Sequence, residues 1–122
     1  MIVLDTNIVI YYFKGETDVT HWLDRERHRN QAVAISTLTI VEALGYTDIT
    51  PLQEFFIEQW LRQILTIDVD ATTAREAARI RRGYGLKAID SVIAATAIIL
   101  HADLVSKDKI FQRIGELHVI PI

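Results

Sequence analysis

Met1-Ile2-Val3-Leu4-Asp5-Thr6-Asn7 opens the chain and carries its clearest structural signal. Three consecutive apolar residues, Ile2 to Leu4, run into a carboxylate and two small polar residues, after which a helical pattern begins. That order describes a buried β-strand passing directly into a helix, with Asp5 at the strand's carboxyl end. In open α/β sheets, ligands and chemistry collect at the carboxyl ends of the strands. Asp5 is therefore either the cap of the following helix or part of a site.

The remainder of the chain repeats the pattern. Thr6 to Phe13 reads as a helix stopped at Gly15, and Asp18 to Arg29 as a charged helix with Trp22 on its apolar side. Ala32 to Ile35 is strand-like, and Ser36-Thr37 offers caps for a helix through Gly45. Pro51 suits a first helical position, and Leu52 to Leu65 carries a broad apolar stripe. Thr66 to Val69 is a strand candidate. Asp70 caps a helix that ends near Gly83 and Gly85, and Lys87 to Ala102 is helical and rich in small residues. Asp103 to Ser106, Ile110 to Ile114 and His118 to Ile120 read as strand, short helix and strand. Short apolar strands alternating with helices predict a parallel sheet covered on both faces, within one domain over residues 1–122.

Composition narrows the function classes. Half of the residues are hydrophobic, an excess that implies apolar surface used in an oligomer or with a partner. There is no cysteine, so neither disulfides nor thiolate metal sites are available, which fits a reducing, cytoplasmic setting. No basic region precedes an apolar stretch at the amino terminus, so no signal peptide is expected. The longest uncharged apolar run, Val92 to Leu100, is too short to span a bilayer. The net charge of −3 argues at first against nucleic acid, but setting four acids aside leaves 12 acids against 13 Lys plus Arg. The surface outside such a site is near neutral, and a polyanionic substrate is not excluded.

Those four acids are Asp5, Glu42, Asp90 and Asp108. Asp5 ends the first strand. Glu42 is a lone charge in Leu38-Thr-Ile-Val-Glu-Ala-Leu44, and Asp90 is the lone acid in Leu86-Lys-Ala-Ile-Asp-Ser-Val-Ile-Ala94. Asp108 follows the strand Asp103 to Ser106 by two residues. Carboxylates on buried faces are costly unless paired or metal-bound, and carboxylates brought together repel unless a cation neutralises them. Oxygen donors without cysteine or a spaced histidine pair select Mg²⁺ or Mn²⁺ over zinc. Each acid also has a structural alternative. Asp5 can cap its helix, Glu42 can complete a Thr39-x-x-Glu42 capping box, Asp90 can be a first-turn acid favoured by the helix dipole, and Asp108 can be a solvated loop residue.

Other groups carry weaker signals. Arg75, Arg79, Arg81, Arg82 and Lys87 form a basic run leading to Asp90. It is either a solvated helix face or a guide for a phosphate backbone, with Arg82 and Lys87 nearest the acids. The four histidines have no metal-binding spacing, and Trp22, Trp60, Phe55 and Phe56 fall on apolar stripes expected in the core. Tyr11 and Tyr12 are adjacent and cannot both face the core, which leaves one for an interface.

Taken in order, these motifs resemble PIN-domain ribonucleases, and among them the VapC-type toxins of bacterial and archaeal toxin–antitoxin pairs. The resemblance rests on Val3-Leu-Asp-Thr-Asn7, Tyr11-Tyr-Phe-Lys-Gly15 and the lone Glu42. It continues in Asp90-Ser-Val-Ile-Ala-Ala-Thr-Ala97 and Ala102-Asp-Leu-Val-Ser-Lys-Asp-Lys-Ile-Phe111, so that it spans the chain. It implies a three-layer α/β/α fold with a five-stranded parallel sheet, and an acidic quartet of Asp5, Glu42, Asp90 and Asp108 binding Mg²⁺ or Mn²⁺. Thr6, Asn7 and Ser106 fall at supporting polar positions, Ser106 where the family often has threonine. The implied activity is metal-dependent endoribonuclease cleavage of RNA, with a small antitoxin as partner and a homodimer as assembly. A PIN nuclease for RNA maturation or DNA flaps without an antitoxin, and a non-catalytic interaction module, are the alternatives.

Overall fold

The computed structural model describes residues 1–122. Five strands, β1 (Ile2–Leu4), β2 (Val33–Ser36), β3 (Leu65–Ile67), β4 (Asp103–Val105) and β5 (Val119–Ile120), form one sheet in the order β3-β2-β1-β4-β5. Every pairing is parallel. Six helices, α1 (Thr6–Phe13), α2 (Thr17–His28), α3 (Thr37–Leu44), α4 (Pro51–Leu61), α5 (Ala71–Tyr84) and α6 (Ala88–Ile99), cover both faces, and a 3₁₀ helix spans Lys109–Arg113.

The uninterrupted apolar strands follow from this three-layer arrangement. Successive strand residues point to opposite faces, and with helices on both faces neither set can be polar. Ile2, Leu4, Val33, Ile35 and Val105 accordingly join a core with Ile8, Val9, Leu23 and Trp60 from α1, α2 and α4. Val3, Ala34 and Leu104 join a second core with Ile80, Ile93, Ala94 and Phe111 on the other face. The run of small residues on α6 admits α5 closely alongside it: Ala94, Ala95 and Ala97 are all fully buried.

From β1 the chain steps outward to β2 and β3, then returns across the sheet to β4 and β5. The strand order therefore reverses between β1 and β4, and the loops leaving these two strands open a crevice at their carboxyl ends. In-register pairing of Leu4 with Val105, and the Asp5 N–H donating to Val105 O at 3.0 Å, bring Asp5 and Ser106 side by side at that point.

Several boundaries differ from expectation. Helix α4 stops at Leu61, and β3 starts at Leu65, earlier than Thr66 and exposed, because an edge strand needs only partial burial. Helix α6 ends at Ile99, and His101 takes a left-handed turn (φ 51°) that drops the chain into β4. Phe55 and Phe56, expected in the core, stand 55% and 58% exposed on the outer face of α4, whereas Trp60 on the inner face is buried. Tyr11 and Tyr12 are both half-buried, Tyr12 against Trp60 and Tyr11 under the Lys107 ammonium at 5.3 Å. No helix is long and apolar enough to cross a membrane.

Candidate active site

Four acids from distant parts of the chain line one groove of about 490 Å³ at the carboxyl ends of β1 and β4. Asp5 comes directly off β1, Glu42 from the last turn of α3, Asp90 from the first turn of α6, and Asp108 from the loop after β4. Thr6, Asn7 and Lys87 complete the polar lining. None of the four histidines faces it.

Asp5 occupies the N-cap position of α1, yet its side chain makes no capping hydrogen bond. Its Oδ2 instead accepts from Ser106 Oγ at 2.8 Å, and the residue is only 3% exposed. Burial is the main reason its carboxyl is pushed up from the ordinary 3.8 to about 6; the Ser106 bond opposes the shift, and the charges of Asp90 and Asp108 add to it. Asp90 is raised as well, first by burial and then by the charge of Asp108, with Lys87 acting the other way.

Asp108 has a structural duty in addition to its place in the groove. Its Oδ1 accepts from the Ile110 N–H at 3.0 Å and caps the 3₁₀ helix, while its own N–H donates to Ser106 Oγ at 3.0 Å. The Thr39-x-x-Glu42 capping box does not form. Ser36, immediately after β2, caps α3 through the Leu38 N–H at 3.2 Å, so Thr39 lies inside the helix and Glu42 one turn further on. The capping box in this chain is Thr50 with Gln53, at the start of α4.

Thr6 is buried, and its hydroxyl shares a 3.0 Å hydrogen bond with that of Thr39. Ser106 is buried between Asp5 and the Asp108 amide, and Asn7 is exposed on the groove wall. Of the two basic residues singled out, Lys87 lines the groove and Arg82 does not. Arg79 is tied to Glu76 and Glu116, both at 2.6 Å. Lys107 is held by Asp18 at 2.7 Å, a tie between the β4 loop and α2 that no motif announces.

The donor set suits a hard divalent cation: carboxylates with hydroxyl and amide oxygens beside them, and no thiolate or imidazole. The four acids line the groove without three of them converging on one point. Where carboxylates approach one another they repel, and a bound cation would neutralise that repulsion. Burial is the first cause of the raised Asp5 and Asp90 carboxyls, and the neighbouring acids add to it.

A second groove, of about 380 Å³, is apolar and lies between the ends of α1, α3 and α4, lined by Ile10, Phe13, Ala43, Ile49, Phe56 and Ile57 among others. It contains none of the four acids, and its charged lining is confined to Lys14 and Asp48.

Fold and groove together define an α/β protein with an acidic site at its topological switch point. The PIN domain model matches residues 2–117, and the chain belongs to that family. It is 29% identical over 110 residues to ribonuclease VapC19 of Mycobacterium tuberculosis, covering 87% of each chain. Among solved structures, a toxin–antitoxin complex from Klebsiella pneumoniae aligns with a TM-score of 0.80 at 26% identity, covering 98% of this chain and 96% of that one. VapBC2 of Rickettsia felis, solved with a DNA fragment from its promoter, shares the fold with a TM-score of 0.85 at 23% identity over 100% and 99% of the two chains.

Proposed function

We propose that this chain is a metal-dependent endoribonuclease and the toxin of a toxin–antitoxin pair, acting as a single PIN domain over residues 1–122. The observation that carries the reading is the meeting of Asp5, Glu42, Asp90 and Asp108 on one groove. Its support from relatives is the family match, the ribonuclease named above and the toxin–antitoxin complex from Klebsiella pneumoniae.

In this reading Asp5, Glu42 and Asp90, with Asp108 at the rim, hold Mg²⁺ or Mn²⁺. Such a cation, when bound, supplies an acidified water and neutralises charge on the phosphoryl oxygens. The chain's own residues do the rest. Asp5 is the rigid member, fixed at the end of the central strand and oriented by Ser106. Glu42 and Asp90 approach from opposite sides of the crevice on α3 and α6. Lys87 stands on the groove to meet a phosphate of the RNA backbone, and Asn7 offers an amide to a phosphate or ribose oxygen.

The partner in this reading is a small antitoxin. The exposed Phe55 and Phe56 and the apolar groove beside them offer an apolar segment a place to bind. A homodimer is part of the same proposal.

The test is cleavage of single-stranded RNA in Mn²⁺ by the wild type beside Asp5→Asn and Asp90→Asn. Loss of cleavage and of growth arrest in both variants, with unchanged circular dichroism, is the expected result. Full activity in either would overturn the mechanism. A small antitoxin gene directly upstream, and growth arrest on expression alone, distinguish a toxin from a PIN nuclease that matures RNA.

A further inference from the structure

Only two fully buried hydrogen bonds join side chains of different elements in this protein, and both end at the acidic site. One is Ser106 to Asp5. The other is the 3.0 Å bond between the hydroxyls of Thr6, the residue after Asp5, and Thr39 on α3. Thr39 is 0% exposed and does not line the groove.

A hydroxyl inside a helix ordinarily returns to the carbonyl one turn earlier. Ser91 and Thr96 of α6 do so, donating to Lys87 O and Val92 O at 2.8 Å each. Thr39, the third residue of α3, has the end of β2 rather than a helical turn behind it, and its hydroxyl bonds across the interface to α1. Its branched Cβ restricts χ1, so this bond joins two helices through a stiff side chain. Three residues further along the same face of α3 stands Glu42.

We propose that Thr39 is a positioning residue of the acidic site: through Thr6 it holds α3 against the start of α1 and thereby sets Glu42 opposite Asp5. The proposal rests on the reading of the groove as a metal-dependent nuclease site. Thr39 touches neither substrate nor metal in this scheme. Its effect is on the spacing of two carboxylates borne by different elements.

The experiment compares the full chain with Thr39→Val, which keeps the shape and removes the hydroxyl, and Thr39→Ser, which keeps the hydroxyl. Thr6→Val and the double variant Thr6→Val/Thr39→Val complete the set. Mn²⁺ affinity is measured by titration calorimetry with MnCl₂, and kcat and KM on a single-stranded oligoribonucleotide. Partners that orient metal ligands typically contribute about 10- to 100-fold to metal affinity. Thr39→Val is expected to lose roughly 10-fold in Mn²⁺ affinity and to fall in kcat with KM nearly unchanged, and Thr39→Ser to recover both. Thr6→Val should match Thr39→Val, and the double variant should be no worse than either.

Wild-type Mn²⁺ affinity and kcat in Thr39→Val, with or without a lower melting temperature, would overturn the proposal, because the hydroxyl would then serve stability alone. So would losses that multiply in the double variant. If Thr39→Val does not fold, Thr6→Val decides from the other end of the bond by the same criterion. Failure of the underlying nuclease reading looks different: the wild type itself binds no Mn²⁺, and Asp5→Asn cleaves as well as the wild type.

Discussion

Ser106 donates its hydroxyl to Asp5 Oδ2 at 2.8 Å across a sequence separation of 101 residues, and Ser106 Oγ in turn accepts the Asp108 N–H at 3.0 Å. One buried hydroxyl thus orients the acid at the end of β1 and places the loop that carries another acid. Ser106→Ala would leave a carboxylate oxygen and an amide without their partner. A stability loss of about 1–3 kcal/mol is expected from urea unfolding, together with reduced cleavage. Ser106→Thr retains the hydroxyl and should retain activity; an inactive Ser106→Thr with an intact fold would count against the orienting role.

The raised Asp5 carboxyl predicts a pH dependence of stability in chelator-treated protein. The folded state holds its proton up to about pH 6, whereas the unfolded chain releases it near 3.8. Between those values the folded state binds more protons, so stability falls as pH rises, by about 3 kcal/mol for a shift of this size. Asp5→Asn should make the fall shallower, with Asp90 accounting for part of what remains, and saturating Mn²⁺ should restore stability at pH 7 in the wild type alone. A wild-type profile that does not fall between pH 4 and 6 would contradict this account.

Lys87 faces the groove and Arg82 does not, although both lie in one basic run. Binding of single-stranded RNA to an Asp90→Asn background should weaken with Lys87→Ala. The slope of log affinity against log salt should drop by about 0.7, the value for one lost phosphate contact on a single strand. Arg82→Ala should leave the slope unchanged. Equal effects of the two substitutions would return Lys87 to the solvated surface.

Phe56 is 58% exposed beside the apolar groove. Phe56→Glu should shift stability by no more than about 0.5 kcal/mol, as expected for a surface position, and leave RNA cleavage at the wild-type rate. Binding of the antitoxin should weaken at least about 10-fold, in keeping with loss of an aromatic anchor. Unchanged antitoxin affinity would place the partner elsewhere.

Legibility in the sequence was uneven for physical reasons. The strands of the two-faced core are runs of apolar residues bounded by polar ones, a local signal that β1, β2 and β4 all show. The edge strand β3 is exposed, and its pattern is correspondingly diffuse. Phe55 and Phe56 share a stripe with Trp60 when α4 is treated alone; only the direction of the sheet shows that the stripe is wider than the core it serves. Thr39 and Glu42 have the spacing of a capping box, but Ser36 starts the helix first and leaves Thr39 inside it.

The alternation of buried strand and helix is written along the chain, and with it a parallel sheet covered on both faces. The sequence also singled out Asp5, Glu42 and Asp90, because a charge in an apolar setting is costly wherever the chain folds, and joined Asp108 to them through its place just after a strand and the family resemblance. The reversal of strand order between β1 and β4, through which these acids share one groove, comes from the three-dimensional fold. The same fold turns Lys87 towards them and Arg82 away, and makes Ser106 and Thr39 the hydroxyls that tie the elements together. Patterning and burial act over a few residues and are written along the chain; hydrogen bonds between residues 33 and 101 positions apart exist only once the sheet has brought their strands and helices together.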